Sequence, residues 1–176
     1  VADATRNETG AYKLRGALAS ASEAQRAGSD LVWTASAGNH GAGLALAAKM
    51  LNMKAVIYVP ETAPDVKVDK IKSFGAAVIR TGKSFDECLA NARKDRDRHA
   101  DAGTFVHPFD EEAVVSGQGT IGLEILRHVE EQCESQSFDR VRIFVPIGGG
   151  GLVAGVASAV KTLWPEHLPS VEVVGV

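Results

Sequence analysis

The chain has 176 residues, 45% of them hydrophobic, with 19 Lys+Arg against 22 Asp+Glu for a net charge of -3. So small a charge argues against a polyanion-binding role, and no run approaches the roughly 18 apolar residues of a membrane span. Two cysteines, Cys88 and Cys133, do not make a disulfide scaffold and suit a reducing, cytoplasmic setting.

The sequence opens Val1-Ala2-Asp3-Ala4-Thr5-Arg6, with no initiator Met and no apolar signal region. It closes on Ser170–Val176, which has the pattern of a strand just begun. The chain therefore reads as a piece open at both ends.

In chain order, the lysine segment Thr9–Ala17 starts a helix running toward Gly28. Leu31–Thr34 is a short β-prone run, and Gly41–Leu51 has the all-round apolarity of a buried helix. KAVIYV, 54–59, is a strand stopped by Pro60. Ala63-Pro64-Asp65 starts a helix that Gly75 ends, and AAVIR, 76–80, is the next strand. Ser84–Ala100 is a charged helix whose charges read as a solvated face. Thr104–His107 is a strand stopped by Pro108. Glu111–Glu131 is a helix that Gly117, Gly119 and Gly122 should weaken. VRIFV, 141–145, is a strand and Leu152–Trp164 a helix. Strands alternating with helices predict a parallel α/β sheet with right-handed crossovers. A domain break is expected near Pro108-Phe109-Asp110. This gives an N-terminal piece (1–27), a small α/β domain (28–108) and part of a larger domain (109–176).

Ligands of parallel sheets bind beyond the carboxyl ends of strands, and two segments sit at such ends. Gly148-Gly149-Gly150-Gly151-Leu152 follows VRIFV and opens a helix. Four glycines permit close backbone approach and positive φ, and their N–H groups at a helix N-terminus suit a phosphate. A tight packing turn would need only one of them. The segment is neither a Walker loop nor a good dinucleotide fingerprint. Ser36-Ala37-Gly38-Asn39-His40 joins a strand to the apolar helix. Ser36 or Asn39 could simply cap that helix, but polar groups crowded among small residues favour a substrate or cofactor loop.

Lys13 is the third feature. A lysine on a helix is usually solvated. Here Thr9, Gly10, Gly16 and Ala17, three and four residues away, are all small, so a flat ring could reach the amine. A buried amine loses basicity and can attack an aldehyde. Arg15 reads as a surface or structural ion pair, and Cys88 as packed. His99, His128 and His167 lack metal-ligand spacing and read as surface residues; no metal is expected. His107-Pro108 either lines the cleft or makes a structural turn.

These motifs, in this order, resemble the fold-type II pyridoxal-phosphate enzymes, whose architecture is tryptophan-synthase-β-like. Gly10–Ala17 is similar to the lysine motif of threonine and serine dehydratases, Ser36–His40 to their asparagine loop, Ser116-Gly117-Gln118-Gly119-Thr120 to the helix start after the small domain, and Gly148–Leu152 to their phosphate loop. The resemblance implies pyridoxal 5'-phosphate as cofactor and Lys13 as the catalytic residue that joins it covalently and moves the substrate's α-proton. It implies Asn39 on the ring hydroxyl, Gly148, Gly149, Gly150, Gly151 and Leu152 on the phosphate, and Ser36, Ala37, Gly38, Asn39 and His40 on the substrate carboxylate. The implied reaction is deaminating dehydration of L-threonine or L-serine to 2-oxobutanoate or pyruvate and ammonia. The partners implied are a small amino acid and a second copy in the full-length protein, with no nucleic acid and no membrane.

Lys13-Leu14-Arg15 differs from the Lys-Asp-Arg of cysteine and threonine synthases, and Asn39-His40 from the Asn-Thr of cysteine synthases. Ala37 stands where serine racemases place a serine, which favours dehydratase over racemase. Tyr12 and Ala11 replace the family's usual Phe and Ser. The family's large domain continues past Val176, so the 176 residues alone are expected to bind the cofactor weakly and to turn over slowly or not at all. A serine racemase and a non-catalytic module for a phosphate ligand or partner chain are the competing readings.

Overall fold

The computed structural model describes residues 6–99 and 103–176. Lys13–Arg26 forms α1, Leu31–Ala35 β1, Asn39–Met50 α2, Lys54–Val59 β2, Asp65–Ser73 α3, Ala77–Arg80 β3 and Phe85–Arg96 α4. Thr104–Phe105 forms β4, Glu112–Cys133 α5, Arg140–Val145 β5, Gly151–Leu163 α6 and Ser170–Gly175 β6.

Every strand pair is parallel. One sheet has the order β3-β2-β1-β4 and the second pairs β5 with β6. β1 is central in the first sheet and buried along its whole length, whereas β3 is an edge strand with three of its four residues exposed. β1 is therefore covered on both faces, whereas the sheet is open at the β3 edge. The main core joins α1 and α2 to one face of β1 and β2 through Ala17, Ala21, Val32, Leu44 and Ile57. The other face carries Trp33, Tyr58, Cys88 and Ala92 under α4. A separate cluster of Ile143, Val145, Val156 and Val160 lies between the second sheet and α6.

The helix starts follow the expected chemistry only in part. Ser84 caps α4 by accepting from the Glu87 N–H at 3.2 Å, and the Glu87 carboxylate accepts from the Lys83 N–H at 2.8 Å. Gly75 takes φ +89° just past α3. No side chain caps α2; its cap is Gly38, with Asn39 the first helical residue. The Ser36 hydroxyl instead accepts from the Gly38 N–H at 3.2 Å, closing a local turn.

The charges of α4 are not all a solvated face. Arg96 is buried, and the neighbouring Asp95 accepts the Tyr58 hydroxyl at 2.5 Å. Burial and the Asp95 carboxylate push the Tyr58 phenol up to about 12. Of the helix expected over 84–100, Ala100 lies outside the described residues.

The glycines of α5 do not break it. A Cβ on Gly117 would stand 2.6 Å from the Arg15 carbonyl oxygen, and one on Gly119 would stand 3.0 Å from that of Gly155. Bare backbone at these positions lets α1 and α6 approach α5 closely, and the tertiary contact outweighs the lost helix propensity.

Candidate active site

Lys13 is the first residue of α1, half-buried, with its Nζ donating to the Pro108 carbonyl at 2.5 Å and lying 5.5 Å from the Tyr12 ring centre. Desolvation lowers the pKa of the amine, which favours the neutral nucleophile. The preceding loop holds the lysine in place. The Asn7 side-chain oxygen accepts from the Thr9 N–H at 2.9 Å and the Thr9 hydroxyl at 2.6 Å, and Lys70 donates to the Thr9 carbonyl at 2.7 Å. The small neighbours serve a different end from the one the sequence suggests. Gly16 packs on Val114 and Gln118 of α5, and Ala17 is fully buried in the core. Their size admits a neighbouring helix rather than a ring. Arg15 pairs with Glu124 at 2.6 and 3.1 Å and with Thr120 at 3.0 Å, tying α1 to α5 as a structural ion pair.

The asparagine loop reaches the same place. A Cβ on Gly43 would stand 3.2 Å from the Leu14 nitrogen and 3.2 Å from the Lys13 carbonyl carbon, so this face of α2 lies against the start of α1. Asn39, four residues earlier, shares that face one turn toward the N-terminus. Gly38 and Asn39 are exposed, Ser36 and Ala37 partly so, and His40 is buried. The first turn of α2 leaves backbone N–H groups without intrahelical acceptors.

The His40 ring meets the Val106 carbonyl at 3.1 Å through Nε2, which must therefore carry the proton. Its buried Nδ1 has no hydrogen-bond partner. Burial brings its pKa down to about 4; the Val106 carbonyl opposes the fall, and the charge of Lys13 adds to it. The Val106 carbonyl also accepts the Thr34 hydroxyl at 2.9 Å.

At the end of β5, Gly150 caps α6 with φ +85°, a left-handed conformation that glycine adopts without strain. Around Gly148 a Cβ would meet nothing within 4 Å, leaving room above the loop. Gly149 and Gly151 face the chain instead. A Cβ on Gly149 would overlap the Phe109 ring, and one on Gly151 would stand 3.1 Å from the Phe109 Cα. The lysine and the glycine bed thus converge on one short turn, the amine on Pro108 and the glycines on Phe109. Sequence reasoning left His107-Pro108 open between lining the cleft and making a structural turn. The sequence alone does not choose between the two, because the contacts that give the turn meaning span long stretches of chain. A cavity of about 680 Å³ lies apart between α5 and α6. It reaches Asp110 and Glu111, but neither Lys13, Asn39 nor the glycine loop lines it.

His99 and His167 are exposed, Cys88 is fully buried, and no cluster of potential metal ligands exists among the described residues. Among the described residues no helix is long and apolar enough to cross a membrane.

A parallel α/β fold in which a desolvated amine and a glycine-rich helix start meet at one turn suits a class that binds a phosphorylated aldehyde. The sequence matches the family described as pyridoxal-phosphate dependent enzyme over residues 3–176, and the chain belongs to that family. It is 43% identical over 169 residues to L-threonine ammonia-lyase of Geobacter sulfurreducens, covering 96% of this chain and 39% of that protein. It is also 43% identical over 168 residues to the biosynthetic L-threonine dehydratase of Pasteurella multocida, covering 94% and 30%. Among solved structures it resembles the processed form of threonine deaminase isoform 2 from Solanum lycopersicum, with TM-score 0.84 and 37% identity, over 98% of this chain and 44% of that one. Serine racemase from Dictyostelium discoideum gives TM-score 0.80 and 32% identity, over 98% and 53%. The fold is that of the fold-type II pyridoxal-phosphate enzymes, and the chain spans well under two thirds of these relatives.

The residues present fit that cofactor. Bare Gly148 leaves space that a Cβ would fill, the N-terminus of α6 supplies backbone donors for a phosphate, and Lys13 supplies the amine.

Proposed function

We propose that this chain carries the lysine, the asparagine loop and the phosphate cradle of a deaminating dehydratase acting on L-threonine or L-serine, yielding 2-oxobutanoate or pyruvate and ammonia. The observation that carries the reading is the convergence of the Lys13 amine and the Gly149–Gly151 backbone on the Pro108–Phe109 turn. The names of the Geobacter and Pasteurella relatives support the substrate class.

Pyridoxal phosphate, once bound, supplies the electron sink that makes loss of an α-proton feasible. Lys13 would hold the cofactor through its Nζ and would carry the substrate's α-proton. Asn39 donates from its amide to the ring hydroxyl. The loop 36–40 receives the substrate carboxylate on backbone N–H groups at the start of α2. Gly148–Leu152 hold the phosphate with backbone N–H groups of the loop and of the first turn of α6. Residues 28–108, which contain the first sheet, form the small domain, and 109–176 form part of the large one. A homo-oligomer in the full-length protein and a cytoplasmic setting complete the reading.

The test is to add pyridoxal phosphate and follow the visible absorption of the lysine-linked cofactor. Borohydride should fix the label on Lys13, and Lys13→Ala should abolish the band. Labelling at another lysine, or a band that survives Lys13→Ala, overturns the assignment. Keto-acid release, compared with D-serine formation from L-serine, then separates a dehydratase from a racemase.

A further inference from the structure

The turn between β4 and α5 is built around the His107 ring. Its Nδ1 accepts from the Asp110 N–H at 2.8 Å and from the Phe109 N–H at 3.3 Å. Both are backbone donors two and three residues downstream, the pattern an Asx turn makes with a shorter side chain. Accepting at Nδ1 leaves the ring proton on Nε2. The ring also stands edge-on to Phe105 and Phe109, with centroids 6.0 and 4.6 Å away. The His107 N–H is tied in turn, donating to the Glu111 carboxylate at 2.8 Å, and the other oxygen of that carboxylate accepts the Ser20 hydroxyl of α1.

This wrapped turn has two outward consequences. It aims the Pro108 carbonyl at the Lys13 Nζ, and it sets the Phe109 ring and backbone against Gly149 and Gly151. Lys13 and the glycine loop lie more than 130 residues apart in the chain, and this turn touches both.

We propose that His107 is a positioning residue for the cofactor. By capping the turn through Nδ1, it fixes the separation between the amine and the glycine bed. The proposal rests on the reading of Lys13 and Gly148–Leu152 given above, and it adds a residue that touches neither cofactor end directly.

The prediction concerns the benefit drawn from the phosphate. Pyridoxal carries the same aldehyde without the phosphate, so the ratio of affinities for pyridoxal phosphate and pyridoxal measures how well the two ends are matched. In the full chain, His107→Ala should shrink that ratio on the order of tenfold. His107→Asn, whose side-chain oxygen can accept the same two N–H groups, should restore it to within about threefold. In the cofactor-free chain, His107→Ala should also speed hydrogen exchange of the Gly149 and Gly151 amides.

A purely structural role would weaken both ligands together and leave the ratio where it was; that outcome overturns the proposal. So does an asparagine variant as poor as the alanine one. If His107→Ala does not fold, Phe109→Leu serves in its place. It keeps the cap but thins the support under Gly149, and an unchanged ratio there is equally fatal. Failure of the wild-type chain to form the lysine-linked band would sink the earlier reading instead, so the two failures are distinguishable.

Discussion

Gly43 of α2 lies against the carbonyl of Lys13, where a Cβ would stand 3.3 Å from the oxygen. The neighbour is backbone and cannot rotate away, so any side chain must move the start of α1. Alanine would need a shift of a few tenths of an ångström, partly offset by its better helix propensity. Valine adds a branch and should cost ~1–3 kcal/mol. Urea unfolding of Gly43→Ala and Gly43→Val should show the valine variant clearly weaker, with its lysine-linked absorption reduced. Equal stability of valine and wild type would show that the two helices are not in close contact.

The α1–α5 seam offers a second test. A Cβ on Gly117 would stand 2.6 Å from the Arg15 carbonyl oxygen and 2.6 Å from the Gly16 Cα, both backbone atoms. Gly117→Ala gains about 1 kcal/mol of helix propensity, yet the overlap should more than cancel it, for a net loss of about 1–3 kcal/mol. Thermal unfolding decides the matter, since a raised midpoint would mean that propensity dominates and the helices are not in contact there.

His40 should make stability depend on pH. Its folded pKa, about 4, lies below the ordinary 6.5 because the buried ring resists charging. Between those values the unfolded chain binds the proton and the folded chain does not, so the stabilisation is complete above about 6.5 and is lost as pH falls toward 4. A displacement of that size corresponds to roughly 3 kcal/mol. Urea midpoints at pH 7 and pH 4.5 should therefore differ more for wild type than for His40→Gln, which has no ring to protonate. Parallel pH slopes for the two proteins would remove His40 as the source.

What could be read from the sequence divides along the range of the interactions. The strand and helix order, the lysine, the asparagine loop and the glycine loop were legible because each is a contiguous motif with local chemistry. Capping of α2 by Ser36 or Asn39, the alternative to a ligand loop, is not what the structure shows, because Ser36 turns back on Gly38 rather than onto the helix. Gly117 and Gly119 looked like weak points because their partners, Arg15 and Gly155, are far along the chain. Gly16 and Ala17 seemed to clear room for a ligand for the same reason, although α5 and the core occupy that space. His107-Pro108 stayed open between cleft lining and a structural turn, although a side-chain acceptor before a turn is a recognisable signal. Its importance appears only when Pro108 and Phe109 are seen against Lys13 and Gly149.

The two cysteines should behave differently toward a thiol reagent. Cys88 is fully buried under β1 and β2, and burial pushes its thiol up to about 11. The thiolate is the reactive form, so at pH 8 roughly one Cys88 in a thousand is ionised, and the folded chain also shields it. Cys133 ends α5 and is partly exposed. With an aromatic disulfide reagent at pH 8, one thiol should react quickly in the folded chain and two in guanidinium. Cys133→Ser should abolish the fast phase and leave a slow phase whose rate follows opening of the fold rather than reagent concentration. Rapid modification of Cys88 in that variant would mean that the α4 face of the first sheet opens readily, contrary to the packing of Trp33, Tyr58 and Ala92 around it.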